Sequence, residues 1–165
     1  MGTFQLLLLG VTMFLVTEAI PPGFTRAQWF NEQHVQYPKK NALNENVYCN
    51  NEMRRINHYT GVCKSFNSFL HDPLDDIIMT CFQSSIRCKR KKYKNCHYSN
   101  RAVNITDCQL VSRVPSCRYS GRSKQSHFVV GCLPPSPGEH STSPLLPTHL
   151  DKTWGQNPYS YLLDF

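Results

Sequence analysis

The chain predicts an α+β fold, with helices first and antiparallel strands after them. Two observations point there. Helical patterning is concentrated in the first half, and short apolar segments separated by polar turns fill the second. Eight cysteines lie in a chain of 165 residues. Helices that precede strands, rather than alternate with them, are the mark of α+β. The length suits one domain of ordinary size, and no internal repeat divides it.

The chain begins with a leader. Leu6 to Val16 is apolar, and Thr17-Glu18-Ala19 places small residues at both cleavage-recognition positions, so residues 1–19 read as a secretion signal. The run is short for a membrane span. Cleavage after Ala19 removes Glu18 and raises the formal net charge from +7 by one. The domain is expected over residues 20–152, with residues 153–165 as a C-terminal extension carrying Trp154, Tyr159, Tyr161, Leu162, Leu163 and Phe165.

Ile20 to Phe24 is an extended lead-in, and Thr25 is an N-cap for a helix over Ala27 to Val35. Phe30 and His34 stand one turn apart on it, with Gln33 beside them. Read alone, His34 is the edge residue of an apolar face. Tyr37 to Asn46 is a loop. A second helix runs from about Cys49 to Tyr59 and stops at Gly61. A short, half-buried strand is expected in the stretch Cys63 to Phe69. Asp72-Pro73 opens a third helix that turns Leu74, Ile77 and Ile78 inward and ends near Cys81. Strands are expected at Phe82 to Ile86, Val103 to Val111, Arg118 to Ser120, Phe128 to Cys132 and Leu145 to Leu150. Leu133 to Pro144 is rich in proline and serine and forms a loop.

An even number of cysteines in a secreted chain reads as four disulfides, although on the order of a hundred pairings are open. No Cys-x-x-Cys pair occurs and the secretory route is oxidising, so no metal and no cofactor is expected. Lys and Arg number 18 against 11 Asp and Glu. That balance favours polyanions: nucleic acid, heparin-like glycans or an anionic bacterial envelope.

Four constellations carry chemistry. In Cys63-Lys64-Ser65-Phe66-Asn67-Ser68-Phe69, a lysine beside a covalently anchored cysteine is a point charge on a rigid base, suited to a phosphate. Gln33-His34 supplies an imidazole. In His149-Leu150-Asp151, a carboxylate two residues after a histidine on a strand shares its face and can hold one tautomer. Arg87, Lys89, Arg90, Lys91, Lys92 and Lys94 form a dense basic run that attracts polyanions. Asn104-Ile105-Thr106 is a glycosylation sequon.

These constellations, with the order of the cysteines, resemble the pancreatic-type secretory ribonucleases, the ribonuclease A superfamily, over nearly all of residues 24–152. Phe24-Thr25-Arg26-Ala27-Gln28-Trp29-Phe30, Asn95-Cys96-His97, Asp107-Cys108, Cys117-Arg118-Tyr119 and Pro134-Pro135 are similar to the leukocyte branch, the eosinophil- and monocyte-type enzymes. The resemblance implies three helices packed on a bent antiparallel β-sheet, and the pairs Cys49–Cys108, Cys63–Cys117, Cys81–Cys132 and Cys88–Cys96. It implies an endoribonuclease that cuts single-stranded RNA after pyrimidines, with His34, Lys64 and His149 as catalytic residues. Gln33 would meet a phosphate oxygen and Asp151 would orient His149. Ser68, supported by Asn67, would contact the 5′ base, and Asn95 the following one. Leu150 fits the family pattern, and Arg87 and Lys89 would hold flanking phosphates. Ser68 stands where the family usually has threonine, Thr148 replaces a valine, and the extension is unusual. The resemblance further implies a monomer, extracellular by way of a lysosome or granule, and a cytosolic ribonuclease inhibitor as a partner. A rival reading is a cationic antimicrobial or glycan-binding protein with vestigial cleavage.

Overall fold

The computed structural model describes residues 19–154. All but the last residue of the expected leader, and the extension past Trp154, lie outside the described residues.

Helix α1 (Arg26–His34) opens on a capping box: the Thr25 hydroxyl accepts from Gln28 N at 3.1 Å, and Gln28 Oε1 accepts from Thr25 N at 2.9 Å. The Thr25 hydroxyl also donates to Glu139 at 2.6 Å, tying the proline-rich loop to the helix start. The helix ends one residue before the expected Val35, because Val35 leaves it to bridge Leu70. His34 therefore sits in the last turn. Helix α2 (Glu45–Thr60) starts four residues earlier than expected: Asn44 caps it by accepting from Val47 N at 2.9 Å. Its end at Gly61, with φ of +74°, needs a residue without a Cβ.

Strand β1 (Phe66–Leu70) occupies the later part of the expected stretch and runs one residue past it, and helix α3 (Leu74–Met79) follows as expected. The strand expected at Phe82 to Ile86 shrinks to β2 (Ser85–Ile86), because Thr80–Phe82 closes α3 with a 3₁₀ turn. Then come β3 (Cys96–Tyr98), β4 (Val103–Ser112), β5 (Arg118–Ser126), β6 (Phe128–Leu133) and β7 (Leu146–Thr153). The three residues of β3 are too few for a periodic signal, and β5 outruns its expected length through a polar segment.

The strands form two antiparallel sheets, β1-β4-β5 and β2-β3-β6-β7. Only His127 separates the end of β5 from the start of β6, so the chain passes there from one sheet into the other. One core gathers Phe30, Leu70, Ile77, Ile105, Phe128 and Val130; the other gathers Trp29, Tyr48, Met53, Ile56, Phe69 and Tyr119. Adjacent residues of α1, Trp29 and Phe30, enter different cores, so this helix is clamped between the halves. Each fully buried large apolar side chain contributes about 1.5–3 kcal/mol.

All four disulfides join the expected cysteines. Helix α2 lies so close to β5 that a Cβ at Gly121 would fall on the Glu45 carbonyl and 2.9 Å from Cys49 Sγ. Glycine is required there by the approach of two backbones.

Candidate active site

His34 is positioned by its neighbours on β1. The buried Asn67 donates from Nδ2 to the Gln33 carbonyl at 2.9 Å, holding the last turn of α1 down. The His34 ring lies beside Phe30, with centroids 5.5 Å apart. Its Nδ1 is 2.9 Å from the Ser68 carbonyl, and its Nε2 is 3.0 Å from Gln33 Nε2. A carbonyl can only accept and an amide nitrogen can only donate, so the pattern puts the proton on Nδ1 and a lone pair on Nε2. Burial holds the imidazole well below its ordinary pKa, helped by the charges of Lys64 and His149 and opposed by the Ser68 carbonyl. Lys64 and His149 thus both act electrostatically on His34.

Lys64 immediately precedes β1 on a braced backbone. Its N–H donates to Asn57 Oδ1 at 3.0 Å, and its carbonyl accepts from the Tyr119 hydroxyl at 2.6 Å. Asn57 Nδ2 donates in turn to that hydroxyl at 2.9 Å, and the neighbouring Cys63 is bonded to Cys117. The ammonium stands on a base fixed by a helix, a strand and a disulfide.

His149 projects from β7 and is largely exposed. Its Nε2 donates to Asp151 Oδ1 at 3.1 Å, which leaves Nδ1 as the other working nitrogen. Asp151 is buried and also accepts the Lys89 backbone N–H at 3.0 Å. Burial alone would raise its pKa; the bonds from His149 and Lys89 outweigh it and leave the carboxyl below its usual range. Gly131 stands opposite His149 on β6. A Cβ there would lie 3.5 Å from His149 Cβ and 3.8 Å from Asn95 Nδ2, so Asn95 flanks the same spot. Asn95 is tied down by donating to the Cys132 carbonyl at 3.0 Å. Leu150 faces the other way, half-buried against the core that holds Phe30.

Ser68 is buried, and its hydroxyl donates to Asp107 Oδ1 at 2.6 Å. Asp107 Oδ2 pairs with Lys124 at 2.7 Å, and Lys124 donates to Thr153 Oγ1 at 2.8 Å. Ser68 and Asp107 are cross-strand partners in the β1–β4 ladder. Sequence reasoning left out Asp107 and Lys124 as site residues. Their signal is the ladder register, which is invisible until the strands are paired.

Lys89, Arg90, Lys91, Lys92 and Lys94 are all exposed on the loop closed by Cys88–Cys96, and Arg87 is exposed just before it. Asn104 is exposed on β4. Among the described residues, Cys88, Cys96 and Asp151 meet with donor atoms within 4.8 Å, but both sulfurs are spent in a disulfide and offer no thiolate.

Residues 25–151 match the pancreatic ribonuclease family. The chain is 40% identical to human Ribonuclease 7 over 149 residues, covering 89% of this chain and 90% of that protein. It is 41% identical to Ribonuclease K6 of Macaca mulatta, covering 90% of this chain and 95% of that one. It is 40% identical to Ribonuclease K3 of Sus scrofa, covering 81% and 82%. With the four disulfides and the α+β topology in agreement, the chain belongs to the pancreatic ribonuclease family, in its leukocyte-type branch.

Proposed function

We propose that the protein is a secreted endoribonuclease that cleaves single-stranded RNA after pyrimidines by transphosphorylation, without a metal. The observation that carries this reading is the complementary state of the two imidazoles. His34 presents a lone pair on Nε2, its pKa depressed, while Asp151 holds Nε2–H of His149 and leaves Nδ1 for the other proton transfer.

In the forward step His34 Nε2 takes the proton of a ribose 2′-hydroxyl. The 2′-oxygen forms a bond to the adjacent phosphorus, the bond from phosphorus to the 5′-oxygen breaks, and His149 Nδ1 delivers its proton to that oxygen. The products are a 2′,3′-cyclic phosphate and a free 5′-hydroxyl. Slower hydrolysis of the cyclic ester runs the same proton transfers with the roles exchanged. Positioned acid–base groups contribute roughly 10²–10⁴-fold. Lys64 balances the extra negative charge on phosphorus oxygens as a preorganised cation. Gln33, which now donates to His34, swings its amide to a phosphate oxygen when substrate enters. Asn67 acts through Gln33 and Ser68, Asn95 meets the base after the scissile phosphate, and Leu150 backs the His149 strand.

The Ser68 hydroxyl already donates to Asp107, so it meets a base as an acceptor. That suits uracil, whose N3 carries a hydrogen. Arg87 and Lys89 hold flanking phosphates, and binding weakens steeply with salt. DNA binds uncut because it lacks the attacking hydroxyl. The test is cleavage of single-stranded RNA in EDTA by the oxidised mature chain, with His34→Ala and His149→Ala as controls; full activity in either variant removes the mechanism.

The wholly exposed basic loop favours a second role in host defence, on an anionic glycan or bacterial envelope. Killing of bacteria that survives the double histidine variant separates that role from cleavage. Secretion after loss of residues 1–19 and a glycan on Asn104 belong to the same reading, and mass spectrometry of the secreted chain tests both.

A further inference from the structure

The sheet that carries His149 also carries an aromatic cluster outside the catalytic residues. Tyr98 on β3 and His127 between β5 and β6 are stacked, with centroids 5.0 Å apart and planes at 18°. Trp154, just past β7, meets Tyr98 edge-on at 5.2 Å, and Lys152 Nζ lies 4.7 Å from the Trp154 ring centre. Tyr98 is 40% exposed and Trp154 38%. Two large aromatic rings left open side by side are a sign of a binding surface.

The rings are held in place. Trp154 N donates to Ser126 Oγ at 2.9 Å, and His127 Nδ1 donates to the Ser99 carbonyl at 2.9 Å. Beside them opens a pocket of about 350 Å³ lined by Tyr98, Ala102, Gln125, Ser126, His127 and Trp154, with Lys124. That is the small end of ligand-site volumes, fitting one ring system.

The strand register relates this cluster to the catalytic histidine. Cys96, Gly131 and His149 form one row across β3, β6 and β7, and Tyr98, Val129 and Lys152 form a row two residues along. Period two puts both rows of β3 and β6 on one face, about 7 Å apart. Trp154 is five residues past His149, about 17 Å of strand at most. The exposed basic loop hangs from the same face through the bond from Lys89 N to Asp151.

We propose that Tyr98, His127 and Trp154, with Lys152, form a stacking subsite for an unpaired RNA base, outside the catalytic cleft and reached by the strand being cut. This rests on the reading of the protein as a ribonuclease acting on single strands. An open aromatic face takes any base, and the neighbouring cation and basic loop supply the phosphate attraction that a neutral ligand would not need. A strand that spans both sites gains affinity that a dinucleotide cannot.

The test uses the full oxidised chain and uncleavable deoxythymidine oligomers of two and twelve nucleotides, labelled for anisotropy. The twelve-mer is expected to quench tryptophan emission, with the quench lost in Trp154→Phe. Tyr98→Ala and Trp154→Ala are expected to weaken twelve-mer binding by roughly five- to a hundredfold. Trp154→Phe, which keeps a ring, is expected to stay near the parent, and dinucleotide binding to stay unchanged throughout. Equal twelve-mer affinity in the alanine variants, equal losses on the dinucleotide, or Tyr98-dependent binding of a heparin oligosaccharide in place of the oligomer overturns the subsite. Because the readout is binding, a chain that proves unable to cut RNA would sink the catalytic reading and leave this measurement interpretable.

Discussion

Replacing Lys124 by methionine tests the polar relay behind Ser68. Lys124 and Asp107 are an ion pair at 2.7 Å, with side chains only 10% and 11% exposed. Removing one member of a buried pair strands the other, at a cost of about 3–5 kcal/mol. For a domain of this size that lowers the melting temperature by roughly 10–20 °C. A second effect follows at the base site. The Ser68 hydroxyl donates to Asp107 because that carboxylate is anchored on its far side. Without the anchor the hydroxyl is free to turn and donate to cytosine N3, which carries a lone pair, as well as to accept from uracil N3. One neutral hydrogen bond is worth about 1 kcal/mol, so preference for uridylyl over cytidylyl dinucleotides should fall by roughly fivefold. The assays are thermal unfolding by circular dichroism and kcat/KM on the two dinucleotides. A melting shift of a degree or two, or an unchanged ratio in a variant that does lose stability, refutes the reasoning. The double variant Lys124→Met with Asp107→Asn leaves no stranded charge and should recover part of the stability.

Three other expectations follow. The acid limb of kcat/KM against pH should lie well below 6.5, since His34 is held neutral by burial and by nearby cations; a limb at or above 6.5 contradicts this. The same shift has a stability sign: between the lowered value and 6.5 the unfolded chain binds more protons, so unfolding free energy rises with pH through that window and levels off above it. Asp151→Ala should cut kcat/KM by about tenfold or more and cost roughly 1–3 kcal/mol, because His149 loses its orienting partner and Lys89 N its acceptor. The Asp151 contribution to stability is present above pH 3.8 and fades as pH falls through its depressed value, which acid unfolding of parent and variant will resolve. Lys64→Ala should lower kcat by roughly 10²–10³-fold with KM changed far less, as steady-state kinetics on a dinucleotide will show.

Much of the site was legible because it is local. Gln33-His34 and His149-x-Asp151 are one- and two-residue relations, and Cys63-Lys64 marks a rigid base by adjacency. The disulfide framework followed from the resemblance and agrees with the structure. What stayed hidden is non-local. The Ser68–Asp107–Lys124–Thr153 relay joins four strands and exists only once the β1–β4 register is set. Asn44 lies among other asparagines in a loop-like stretch, so its capping of α2 shows only in three dimensions. Tyr98 and Trp154 look like scattered aromatics until β3, which has almost no periodic signal, aligns with β6 and β7.

The tight seat of α2 on Gly121 has a mechanical outcome. Asn57, which grips the Lys64 backbone, lies twelve residues along that helix from the contact at Glu45, about 18 Å away. The helix is a lever with its fulcrum on a residue that has no side chain. A methyl group introduced at Gly121 would lift the near end, and the far end would carry the Lys64 backbone with it. The placement of that lysine is therefore adjustable from the opposite end of the helix.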